Sequence, residues 1–265
     1  MKKNSKNHSS FVLCFALLAM AVKSLMLPQH LDVGAMNKTT GARFLGISFG
    51  SYTGFSVCGV GDVDGDKVKD FLIGAPTANS SQGGATNAGQ VYVLYGQQNT
   101  TAAMGIWGSD FNLSTLISSP LLGRVIDGAV ADTYIGWHSG TVGNFNADGL
   151  SDVLIGAPTS SSYQGKAFVV FGKAKSQAIT PLFLNNLSSN TAIEFVGEST
   201  GDQFGHSVSS GDWNSDGFVD LLIGAYGYLS KIGATYMISG HKWSMDDINK
   251  CIKSWHKCLW CEVHW

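Results

Sequence analysis

Gly211-Asp-Trp-Asn-Ser-Asp-Gly-Phe-Val-Asp-Leu-Leu-Ile-Gly-Ala225 carries an oxygen-rich loop straight into an apolar strand. Side-chain oxygens fall at Asp212, Asn214, Asp216 and Asp220, which are positions 1, 3, 5 and 9 of a loop, and Phe218 at position 7 offers a backbone carbonyl. Calcium takes such a shell of hard oxygens, whereas magnesium demands tight octahedral contacts and keeps its water. Gly217 at position 6 permits the sharp turn. The competing explanation is that Asp and Asn side chains form Asx turns and cap strand ends without any ion. In either case the loop is structural, because it holds no nucleophile with an adjacent base that a metal would turn into a catalyst.

The stretch recurs twice. Asp62, Asp64, Asp66, Val68 and Asp70 precede Phe71-Leu-Ile-Gly-Ala-Pro76, and Asn144, Asn146, Asp148, Leu150 and Asp152 precede Val153-Leu-Ile-Gly-Ala-Pro158. The loop starts are 82 and 68 residues apart, so the first unit carries insertions. The polar run Thr77–Ala88 is one, and the piece from Gly96 to about Pro120 is another; both read as surface loops. Upstream of each loop stand Thr53-Gly54, Ile135-Gly136 and Phe204-Gly205, and downstream lie Gln90–Gly96, Lys166–Gly172 and Ala234–Gly240. In these segments Tyr92, Val169 and Tyr236 suit a pleated, half-buried surface. The apolar runs are four or five residues long between glycines, which favours strands over helices.

Loop one departs from the pattern, with Gly65 at position 4 and Lys67 at position 6, so its turn is in question. Loop two replaces two carboxylates with asparagine, which keeps the oxygens and lowers the charge, so weaker cation binding is expected there.

The series of Phe-Gly, oxygen loop and Leu-Ile-Gly-Ala-Pro resembles the FG-GAP repeats of the integrin alpha-chain β-propeller, also found beside the catalytic domain of glycosylphosphatidylinositol-specific phospholipase D. The resemblance covers residues 41–243. It implies an all-β fold of four-stranded blades, with calcium in the loops and a ring usually closed by about seven blades. Three units make an incomplete ring: a fragment, an assembly of chains, or an open arc whose uncapped ends leave it marginal.

The other features bound the chain. A formal charge of −2 gives no basic footprint for nucleic acid, and 33 glycines against 5 prolines suit many tight turns. Lys2, Lys3 and Lys6 lead into Phe11–Val22 and the small-x-small site Ala19-Met-Ala21, the pattern of a secretory leader over residues 1–21. Residues 22–40 read as a linker. The repeats fill 41–245 in units of about 41–110, 122–183 and 192–245, and 246–265 is an atypical Cys/Trp-rich tail. There Cys251, Cys258 and Cys261 lack zinc-finger spacing and fit a disulfide or an out-of-family end. Cys58 is expected to be a buried free thiol, and His138 and His206 are expected to pack within the repeat framework. Sequons at Asn37, Asn79, Asn99, Asn112 and Asn186 permit glycosylation in a eukaryotic secretory pathway.

With the leader, the resemblance implies a secreted or cell-surface, calcium-binding, non-catalytic adhesion or protein-binding module of the integrin-alpha kind. A protein or glycan ligand is expected on the propeller face, near the Thr77–Ala88 insertion, with no membrane span after leader cleavage and self-association as a way to complete the ring. The alternatives are the repeat portion of a secreted hydrolase of the phospholipase D type, and a truncated remnant.

Overall fold

The computed structural model describes residues 33–35, 41–98 apart from 82, and 107–240 apart from 178, 179 and 186. The leader, most of the linker and the tail lie outside the described residues. Each apolar run is a strand, because β-branched and leucine side chains alternate onto two faces that both meet neighbours. Blade one contains β2 (Ser56–Gly61), β3 (Asp70–Ala75), β4 (Gln90–Leu94) and β6 (Gly123–Asp127), paired antiparallel in the order 2-3-4-6. Blade two contains β7 (Ser139–Gly143), β8 (Asp152–Ala157), β9 (Lys166–Val170) and β11 (Ala192–Val196). Blade three contains β12 (Phe204–Gly211), β13 (Asp220–Ala225) and β14 (Ala234–Ile238). The fold is all-β with propeller-type blades, and among the described residues the three blades form an arc rather than a closed ring.

The sheets cut the chain one strand later than the sequence units do. β6 opens the second unit yet pairs with β4, and β11 opens the third yet pairs with β9. Blades one and two are thus each closed by a strand from the following unit, which ties neighbours together through hydrogen bonds as well as packing. A second tie runs backwards. After β9 the chain returns to blade one, where β10 (Leu182–Phe183) pairs in parallel with β6 and Leu184 N–H donates to the Asp127 carbonyl.

Two apolar layers fill the seams between blades. Leu72, Val91, Val93 and Ile126 of blade one meet Val153, Ile155, Phe168 and Val170 of blade two. Leu154, Val169 and Phe171 of blade two meet Phe204, Leu221 and Ile223 of blade three. The half-buried alternation expected at Tyr92 and Val169 is therefore corrected: both are fully buried, because a neighbour covers each face, and only β14 alternates.

The piece after Gly96 is a second correction. It was expected to be a surface loop, but Trp107, Phe111, Leu113 and Leu116 are buried against Ile73, Tyr92 and Val125 on the outer face of blade one. β1 (Arg43–Leu45) and β5 (Asp110–Asn112) pair in parallel across this cap, and Phe44, Phe71, Trp107 and Phe111 form one aromatic cluster with edge-to-face contacts. The first end of the arc is capped; the expectation of an uncapped arc fails there. Cys58 is a third correction. It is half-buried rather than buried, because its strand is the innermost of the blade and lines a groove shared with Thr141 and Val208.

Candidate metal centre

Each oxygen loop joins the innermost strand of a blade to the next strand, so all three lie at one end of the blades. Their backbones follow the same path. Positions 4 and 6 have positive φ in every copy: Gly65 at 84° and Lys67 at 69°, Ala147 at 58° and Gly149 at 93°, Ser215 at 60° and Gly217 at 87°. The turn doubted in loop one is therefore made. Its glycine has moved from position 6 to position 4, and Lys67 occupies a left-handed conformation that costs a non-glycine residue roughly 1–2 kcal/mol.

The position-9 aspartates do the same work in all three copies. Asp70 accepts from Val63 N–H at 2.7 Å and Gly96 N–H at 2.7 Å. Asp152 accepts from Phe145 N–H at 2.7 Å and Gly172 N–H at 2.8 Å, and Asp220 from Trp213 N–H at 3.0 Å and Gly240 N–H at 2.8 Å. One buried carboxylate thus joins its own strand, the loop and the end of the following strand. Burial pushes Asp70 up to about 6 and Asp152 up to about 6, against the backbone hydrogen bonds that favour the charged form.

The position-3 and position-5 side chains form Asx turns. Asp66 N–H donates to Asp64 and Val68 N–H to Asp66; Asp148 N–H donates to Asn146 and Leu150 N–H to Asp148; Asp216 N–H donates to Asn214 and Phe218 N–H to Asp216. At position 1, Asp62 accepts from Gly65, Asp66 and Lys67, and Asp212 accepts from Asp216 and Gly217. Asn144 is exposed at position 1 of loop two.

The loops differ in depth. Loop one lies under blade two, with Asp64 buried; in loop three Asp212, Asn214 and Asp216 are all exposed. Asp62, Asp64 and Asp70 bring carboxylate oxygens within 4.8 Å of one another, and among the described residues they are the one such group of three acids, cysteines or histidines. Two oxygens each about 2.4 Å from a calcium ion would lie no more than about 4.8 Å apart, so the spacing of this cluster is within the span one ion allows. Asp64 Oδ2 is fully buried and accepts no hydrogen bond. In loops two and three the position-3 amide nitrogen donates to the position-5 carboxylate, Asn146 to Asp148 at 3.0 Å and Asn214 to Asp216 at 2.9 Å.

Two residues here had no signal in the sequence. Lys175 Nζ lies 3.1 Å from Asp64 Oδ2 and 2.8 Å from Asp66 Oδ2, and the first contact is an ion pair that falls short of hydrogen-bond alignment. Burial works against charge on Asp66, but the Lys175 and Val68 hydrogen bonds outweigh it and hold the carboxyl below its usual range. On Asp64 burial prevails and raises it. Arg124 is buried between blades one and two and donates to the Phe171 carbonyl at 2.9 Å. Neither cation recurs at the matching position of the other units, so periodicity did not mark them.

At the opposite end of the strands, the residue after each framework glycine contributes a ring. Phe55 packs on Trp137 at 4.8 Å, Trp137 on His206 at 5.8 Å, and His206 on Tyr226 at 5.1 Å. His206 is thus the counterpart of Trp137 rather than of His138, whose Nδ1 accepts from Val208 N–H. Phe55 and Tyr226 are each 51% exposed, and the row crosses all three blades.

The FG-GAP repeat pattern matches residues 53–94, 136–170 and 204–236, the segments that hold the first three strands and the oxygen loop of each blade. The chain is an FG-GAP repeat protein. It is 29% identical over 189 residues to integrin alpha pat-2 of Caenorhabditis elegans, covering 69% of this chain and 13% of that protein. To integrin alpha-IIb of Mus musculus it is 30% identical over 189 residues, covering 70% of this chain and 16% of that one. A phosphatidylinositol-glycan-specific phospholipase D of Bos taurus is 28% identical over 168 residues, 62% of this chain and 17% of the enzyme. The FG-GAP chain thus spans less than a fifth of the length of these relatives. Among its described residues no helix is long and apolar enough to cross a membrane.

Proposed function

We propose that this FG-GAP chain is a calcium-stabilised, non-catalytic adhesion or protein-binding module of the integrin-alpha kind, displayed outside the cell. What supports it is the arrangement of the two blade ends: one oxygen-donor loop recurs three times at one end, and half-exposed aromatic rings cross the other. The ligands would be Asp62, Asp64, Asp66, Asp70 and the Val68 carbonyl in loop one. In loop two they would be Asn144, Asn146, Asp148, Asp152 and the Leu150 carbonyl, and in loop three Asp212, Asn214, Asp216, Asp220 and the Phe218 carbonyl. The ion would neutralise clustered carboxylates and hold each turn. The aromatic row offers large, rigid contact area beside the Thr77–Ala88 insertion, the composition that carries protein or glycan binding.

The test is calorimetric titration with calcium and with magnesium, alongside melting in a chelator. Calcium should be taken up more tightly than magnesium, and its removal should lower the melting temperature; no uptake at millimolar calcium and no shift would remove the ion from the proposal. For the face, Phe55→Ser and Tyr226→Ser, at the two half-exposed rings, should leave melting nearly unchanged and abolish cell attachment to a surface coated with the protein.

The similarity to the Bos taurus phospholipase D favours a second reading, in which these repeats accompany a hydrolase. Release of a glycosylphosphatidylinositol-anchored reporter by this chain alone would establish that reading over the first.

A further inference from the structure

Loop one concentrates four aspartates, and the chain itself delivers a positive charge to them. After β9 the backbone turns back over blade one: Lys173 N–H donates to the Val63 carbonyl at 2.9 Å, and farther along Val125 N–H donates to Thr180 Oγ1 at 3.0 Å. Between these two anchors Lys175 points its ammonium into the loop. It meets Asp64 Oδ2 at 3.1 Å and Asp66 Oδ2 at 2.8 Å, and it lies 5.5 Å from the centroid of the buried Tyr95 ring. Two carboxylates and a π face are a complete set of partners for an ammonium. Asp64 is wholly buried, so its charge has no water to solvate it and needs a cation in place.

We propose that Lys175 is the resident cation of loop one, a salt latch from the second blade that holds the loop turned without metal. Among the described residues, the position-5 carboxylates of loops two and three meet an asparagine amide in the corresponding contact instead of an ammonium. The proposal rests on the calcium reading in one respect: an ion bound among Asp62, Asp64 and Asp70 would draw on the Asp64 carboxylate that the ammonium pairs with. Calcium about 2.4 Å and an ammonium about 3 Å from oxygens of one carboxylate repel strongly, so calcium at loop one displaces Lys175 rather than joining it.

The test has two arms. In chelator, urea midpoints are measured for the wild type, Lys175→Met, Asp66→Asn and the double variant. The latch predicts that the double variant loses clearly less than the two single losses together; strictly additive losses overturn it. Lys175→Gln replaces the methionine variant should that one fail to fold. In the second arm, calcium titration of Lys175→Met should show one site bound at least about tenfold more tightly than in the wild type, about 1.4 kcal/mol. If calcium binds the wild type and no site changes affinity in the variant, displacement is wrong. If neither protein takes up calcium, the calcium reading fails while the chelator cycle still decides the latch.

Discussion

The two ends of the arc carry the same strand motif and bury it very differently. Leu72, Leu154 and Leu222 occupy one repeat position, each facing the next blade. The first two are fully buried and Leu222 is only half-buried, because no described residue lies beyond blade three. Val93 and Val169 are likewise fully buried where their counterpart Met237 is 59% exposed. At the other end, the face of blade one that has no preceding blade is covered by Trp107, Phe111, Leu113 and Leu116. The contrast shows that the motif makes a strand, while its contribution to stability comes from whatever lies against it.

The largest expected effect tests the cap. Trp107→Ala should cost about 3–5 kcal/mol in urea unfolding, since it removes the ring at the centre of the aromatic cluster, while Met237→Ala at the bare end should stay within about 0.5 kcal/mol. Equal losses would break the comparison. Next, Leu154→Ala in the seam between blades two and three should cost about 2–5 kcal/mol and Leu222→Ala clearly less, a ranking that hydrogen exchange of β8 and β13 would sharpen further.

A smaller effect separates the loops at the two ends. Lys67→Gly should stabilise by up to about 1 kcal/mol, because glycine removes the steric cost of φ at 69°, a gain partly offset by the unfolded-state entropy it adds. Gly217→Lys, the reciprocal change at φ 87°, should destabilise by a similar amount; both are read as urea midpoints in chelator. The smallest effect belongs to neither end. His206 is held below its ordinary pKa, first by burial and then by His138, so the folded state disfavours its proton. Its contribution is complete above about pH 6.5 and falls as the pH drops from there toward the lowered folded value. His206→Phe should therefore lose less stability than the wild type between pH 7 and 5, and parallel profiles would remove the histidine from this account.

Much of this was legible in one dimension. The strand and loop positions of all three blades follow from glycines, apolar runs and oxygen donors at fixed offsets, since backbone sterics and period-2 alternation act locally. The register of blades against units was not legible, because β6 and β11 choose partners that lie earlier in the chain. Nor was the cap, whose Trp107 and Phe111 are single residues in a stretch of polar composition, nor the half-burial of Cys58, which depends on the inner strand facing a groove.

The same division holds at the candidate metal centre. Repetition alone marked the candidate donors from Asp62 to Asp220, because oxygens at every second residue of a tight turn suit a cation, while the left-handed conformation at positions 4 and 6 came from the structure. Only the folded arrangement brought Lys175 to Asp64 and Asp66, 111 and 109 residues earlier in the chain. Charge pairing is blind to sequence separation: it depends on where the return segment after β9 crosses blade one, and that path is set by contacts between blades rather than by any pattern within a repeat.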